Sequence, residues 1–165
     1  MLGRLAADPA GVSEPEIRAG IAQARRWAVT QTRRALRALD FSNRVLGAYR
    51  NRCAMCGVQL QLLDGAHILP VAESGSTDET ANGVALCALH HRAYDKGLIT
   101  FDTDYTVHLS EARIQELRDA GVDGKLTAFR DQLRGVILLP ADRASRPRKQ
   151  FVEQANILRR WNLAG

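Results

Sequence analysis

An α+β fold is predicted for this 165-residue chain, with a small strand–strand–helix core and helices on either side of it. Three observations carry that expectation. Short apolar runs of strand length alternate with turn residues after Gly57, and helical periodicity takes over near Leu89. Longer helix-period patterns lie before residue 40 and near the C-terminus. All three cysteines and three of the four histidines fall between Cys53 and His91, as C-x2-C followed by C-x2-H. That spacing lets two short turns hold one tetrahedral zinc from opposite sides. Cys53, Cys56, Cys87 and His90 are therefore the predicted ligands of one structural Zn2+.

Residues 1–12, rich in Ala and Gly, are expected to be a flexible lead-in. Ser13-Glu14-Pro15-Glu16 reads as a capping box with Pro in the first turn, so residues 13–40 are predicted to be a basic amphipathic helix, a candidate linker. Ile17, Ile21, Ala24, Ala28, Leu36 and Leu39 recur at helical spacing, with arginines on the remaining surface. Those arginines are either simply solvated or lie along a phosphate backbone. Asp40 and Ser42 are capping candidates for a second, short helix carrying Phe41, Val45, Leu46 and Tyr49.

Beyond the first cysteine pair, two strands are expected around Leu60 to Leu69, turned at Asp64-Gly65 and ended by Pro70. A polar loop fills residues 73–80, and Val84 to Leu86 lead into the second ligand pair. A helix from about Leu89 should carry His90 and His91 and stop at Gly97. Residues 41–101 make the core, and residues 102–165 an α/β extension packed on it. In that part of the chain, residues 98–101 and 106–109 read as a hairpin, and Ser110 caps a helix ending at Gly121. A further helix is expected over 126–133, then an apolar strand at 136–139, and a last helix containing Phe151, Ile157, Leu158 and Trp161.

Composition narrows the classes. Hydrophobic residues at 45% suffice for a core, which aromatics at 5% should leave mostly aliphatic. An odd number of cysteines in metal-type spacing argues against a disulfide framework and for a reducing compartment, so a cytoplasmic protein is expected. No apolar run approaches a membrane span, and no signal-peptide core precedes the first helix. A net charge of +5 and a pI near 9.6 favour a polyanionic partner, without identifying one.

His67, Asn82 and His91 are left over from the zinc set, in that order and interleaved with it. Asn82 stands nine positions before His91, which directly follows the last zinc ligand. Together with the phrases Arg52-Cys53-Ala54, Gly65-Ala66-His67-Ile68 and Leu89-His90-His91-Arg92-Ala93-Tyr94-Asp95, this resembles the zinc-bearing HNH endonuclease domains of restriction enzymes, modification-dependent ones included. The resemblance implies a ββα-metal (HNH) core and a metal-dependent DNA endonuclease, the cleavage domain of a restriction-type enzyme. His67 would be the general base and Asn82 would fix the loop and orient His67 through a hydrogen bond. His91 would hold a catalytic divalent ion, Mg2+ or Mn2+ among the candidates.

The sequence departs from the family at Ala66, where many HNH domains place an acidic metal ligand. Asp64 either replaces that ligand or braces the turn, and Asp95, one helical turn after His91, is the other candidate. DNA, double-stranded, is the expected partner, with Arg143, Arg146, Arg148 and Lys149 as candidate phosphate contacts. A homodimer and an upstream DNA-reader domain outside this chain are further expectations. The alternative reading is a zinc-stabilised DNA-binding module without catalysis. His108 matches nothing in the motif.

Overall fold

The computed structural model describes residues 14–161 and 163, so the lead-in and the Ser13 cap lie outside the described residues. The chain divides at Leu39/Asp40 into two units. From Glu14 to Leu39 the chain is helical, and Ile17, Ile21, Trp27, Val29, Leu36 and Leu39 are all exposed. The helix does not stop where capping residues suggested. Helix α1 runs unbroken over Glu14–Ala48, because the two candidate caps are engaged otherwise. Asp40 accepts from Arg44 Nε at 2.9 Å, and Ser42 Oγ accepts the Gly65 backbone N–H at 3.1 Å.

The second unit holds the core. Strand β1 (Leu63–His67) pairs antiparallel with β2 (Gly83–Cys87), and helix α2 (Ala88–Asp95) follows directly, giving the strand–strand–helix order. The predicted turn at Asp64-Gly65 is corrected: both residues lie inside β1, and β1's partner is the segment expected merely to lead to the second cysteine pair. Gly65 is there for proximity, since a Cβ on it would sit 2.7 Å from Ser42 Cα. Gly83 is tighter still, its Cβ falling 2.2 Å from Val45 Cγ2. The two glycines thus form a flat patch on which the last turns of α1 rest, burying Phe41 and Val45. Gly83→Ala is expected to lower unfolding free energy by about 1–3 kcal/mol through overpacking, read from urea melts.

Strands β3 (Ile99–Phe101) and β4 (Val107–Leu109) form a separate hairpin, as expected, and α3 (Glu111–Asp119) starts at Ser110, whose Oγ accepts the Arg113 backbone N–H. Helix α4 covers Leu126–Gln132. The strand expected at 136–139 does not form a ladder, because its backbone partners are divided. Ile137 N donates to Tyr105 O and Leu138 N to Ala54 O, strapping the first cysteine turn to the second hairpin. Helix α5 (Lys149–Leu158) ends before Trp161, and Phe151, Val152 and Ala155 are its buried face.

The α5 face joins the core through polar as well as apolar contacts. Thr100 Oγ1 donates to Asn156 Oδ1 at 2.6 Å, and Asn156 Nδ2 donates to Phe101 O at 2.9 Å. Arg159 reaches Ile68 O at 3.0 Å and covers the Tyr94 ring. The core is less aliphatic than composition suggested. The few aromatics concentrate there, and Tyr94, Phe41, Phe101 and Phe151 are its largest fully buried side chains. No described helix is long and apolar enough to cross a membrane.

Candidate active site

The four predicted zinc ligands come together. Cys53 and Cys56 sit on a tight turn in which Gly57 N donates to Cys53 O at 2.8 Å and Gly57 takes φ +82°, a conformation that favours glycine. Cys87 ends β2 and His90 lies in the first turn of α2, so the fold delivers both pairs from opposite sides. One ligand atom from each residue lies within 4.8 Å of the others, and the His90 ring turns Nδ1 toward Cys87 Sγ (3.2 Å) and Cys53 Sγ (3.6 Å). A tetrahedral zinc with Zn–S of about 2.3 Å and Zn–N of about 2.0 Å separates S and N by about 3.6 Å. The spacing therefore fits that ion.

Protonation chemistry points the same way. Burial raises all three thiols; at Cys53 it is overcome by a hydrogen bond from His90 and by backbone amides, bringing that thiol down to about 6. Cys56 is pushed up to about 12 by burial and by the neighbouring sulfurs, and Cys87 is raised mainly by burial. Three sulfurs this close can ionise together only with a cation held among them. Among the described residues this is the one cluster of three or more such side chains close enough to hold an ion. His90 Nε2 is buried without a hydrogen-bond partner, and the Phe129 ring stands 5.5 Å from the imidazole.

His67 ends β1 on the face that α1 covers. Its ring stacks on Phe41 at 3.7 Å and 10°, and its Nε2 lies 3.1 Å from Asp78 Oδ1. An ionised carboxylate can only accept, so Nε2 carries the proton and Nδ1 keeps the lone pair. Burial holds the His67 pKa below the ordinary histidine value, and Asp78 opposes that only in part. The imidazole is therefore neutral at pH 7.

Asn82 is fully buried, but the hydrogen bond expected from it to His67 is not what its side chain makes. Oδ1 accepts from Leu69 N at 2.9 Å, while Nδ2 donates to Leu69 O, Ser76 Oγ and Thr77 O. It closes the β1–β2 loop on itself. The residue that touches His67 is Asp78, next to the Thr77 carbonyl that Asn82 holds. Arg44 grips the same loop from α1, donating to Asp78 O at 2.8 Å and Thr80 Oγ1 at 3.1 Å.

His91 points away from His90, as adjacent helical residues must. Its Nδ1 lies 3.2 Å from Asp64 Oδ2, and its Nε2 lies 3.6 Å from Asp95 Oδ2. The two carboxylates thus sit on opposite ring nitrogens, and Asp95 is not placed to share an ion with Asp64 and Nδ1. Asp64 and His91 Nδ1 make an open two-ligand pair on a partly exposed surface, which suits an ion that takes its other ligands from water and substrate oxygens. Asp64 and His67 are three residues apart on β1 and leave it from opposite faces, with about 10 Å of strand between them.

These observations can be set beside known proteins. Residues 53–102 match the family model described as HNH endonuclease. The match covers the cluster of three cysteines and His90, together with His67, Asn82 and His91. A solved structure described as a modification-dependent TagI restriction endonuclease resembles this chain with a TM-score of 0.51 at 18% identity, which is a likeness of fold. The alignment covers 72% of this chain and only 37% of that one. No curated protein matches the chain.

Around the matched segment, the basic residues expected to contact DNA are partly engaged within the protein. Arg148 pairs with Glu79 at 2.7 Å, Lys149 with Asp104 at 3.3 Å, and Arg146 Nε donates to Pro140 O at 3.0 Å. Arg143 is exposed. The turn they occupy is anchored beside the Asp78 loop, since Arg148 N donates to Ala81 O. Sequence reasoning missed Asp78, Arg44 and Phe41. An Asp in a polar loop and a Phe and an Arg on a helix carry no spacing signal toward His67. His108, without a role in the motif, pairs with Asp102 at 2.8 Å in the second hairpin.

Proposed function

We propose that this chain is a metal-dependent endonuclease that hydrolyses phosphodiester bonds of double-stranded DNA, the cleaving part of a restriction-type enzyme. The observation that supports this most is the His67–Asp78 pair: a neutral imidazole, stacked and oriented by a carboxylate, with its free nitrogen available to take a proton. In this reading Nδ1 of His67 accepts the proton of the water attacking phosphorus, and Asp78 stabilises the imidazolium that results. Asn82 and Arg44 are positioning residues that hold the Asp78 loop. A divalent ion on Asp64 and His91 would supply charge stabilisation to the phosphate from the other side of β1.

The zinc ligands stay out of the chemistry, since a four-ligand site has no open position. The basic turn around Arg143 to Lys149 is proposed to contact phosphates, with residues 41–101 as the nuclease core, 13–40 as a basic linker helix and 102–165 as its extension. A reader domain and a second copy would belong to the larger assembly.

The deciding experiment is nicking of supercoiled plasmid with Mg2+ or Mn2+. Nicking that EDTA stops is expected. Retained DNA binding without nicking in either ion would instead favour the non-catalytic zinc module.

A further inference from the structure

A cleft of about 500 Å3 lies between α2, α3 and α4, outside the groups assigned above. Its apolar lining comes from Leu89, Ala93, Leu98, Leu117, Leu126 and Phe129. Leu89 and Val122 stand at it with 52% and 64% of their surfaces exposed, so apolar area is presented rather than sealed. Arg92, Lys96, Arg113 and Lys125 also line it, against the single carboxylate Asp123. Arg113 is paired with Glu116, which leaves Arg92, Lys96 and Lys125 as the cations that define the edge. Leu89, Arg92, Ala93 and Lys96 recur at helical spacing, so one stripe of α2 forms a whole wall.

We infer that this cleft docks an acidic amphipathic helix of a partner protein, with its apolar side chains on the floor and its carboxylates on the three cations. Helix-in-groove recognition needs an apolar trough with charge at its edge, and both are present here. The chemistry discriminates against two other occupants. A nucleobase requires hydrogen-bonding groups for its edges, and this floor is aliphatic except for Phe129, with Gln132 the one side-chain amide. A second copy of this chain would offer the exposed face of Ile17, Ile21 and Leu39, but Arg18, Arg25 and Arg34 flank that face and meet like charge at the edge. The surface is independent of the nuclease reading and would hold for a non-catalytic zinc module.

The test is a titration of the zinc-loaded full chain with a fluorescently labelled helical peptide carrying Leu at positions i, i+4 and i+7 and Glu on both flanks. Saturable binding is expected, with amide shifts in the NMR spectrum centred on Leu126 and Phe129. Charge reversal by Lys96→Glu with Lys125→Glu should weaken it by tenfold or more, and the same peptide with Lys for Glu should bind at least tenfold more weakly than the acidic one. Val122→Trp, which fills the mouth from an exposed position, should block the peptide without changing affinity for duplex DNA. The inference is overturned by absence of binding at about 1 mM peptide, by equal binding of the acidic and basic peptides, or by a DNA duplex displacing the peptide from this cleft.

Discussion

His67→Ala is expected to reduce plasmid nicking by roughly 10²–10⁴-fold, the usual contribution of a general base. Zinc content, melting temperature and affinity for duplex DNA should stay near the parental values, because the imidazole makes one polar contact and one stacking contact. Nicking by the purified variant at the parental rate would remove His67 from the chemistry. The pH profile adds a second signature. Burial lowers the His67 pKa, so the acid limb of kcat/KM should fall below the ordinary histidine value near 6.5. Asp78→Asn takes away the influence that raises it, so the limb should move to still lower pH while kcat drops. The sign for stability follows from the same shift. A pKa below its unfolded value makes neutral His67 favour the fold above the histidine range, and that contribution is lost as pH falls through the folded pKa.

Cys56→Ser is expected to unfold the second unit rather than slow one step. Structural zinc contributes on the order of 10 kcal/mol of apparent binding energy in small sites, whereas a whole domain is stable by about 5–15 kcal/mol. The loss also leaves Cys53, Cys87 and His90 gathered around an incomplete site in the interior. Elemental analysis of the parent should give about one tightly held zinc per chain, and chelation should abolish its cooperative melt. A metal-free parent that melts cooperatively would refute the zinc assignment.

The parts of this fold legible in the sequence are those where a residue type has one job. Cysteine and histidine spacing named four side chains that meet, because metal ligands tolerate few substitutes. Ser110 and Gly97 marked a helix start and a helix end, where side-chain oxygen and positive φ are needed. Residues with several jobs misled. Gly65 read as a turn and is a point of close approach, while Asp40 and Ser42 read as caps and instead bind Arg44 and Gly65. Around His67, local pattern could point to the histidine but not to Asp78, eleven residues on, since only the closed loop brings the two together. For Asn82, pattern gave the position, and its bonds turned out to serve the loop.

The polar ties of α5 set a limit on transplanting the family-matched segment. Cutting the chain at residue 102, where the family match ends, would strip Asn156 from Thr100 and Phe101 O and Arg159 from Ile68 O. Those hydrogen bonds would be lost together with the apolar cover that Phe151 and Val152 give the core. The stretch that is recognisable by family is thus smaller than the stretch that packs as one core, and a graft of this domain into another protein has to carry its last helix with it.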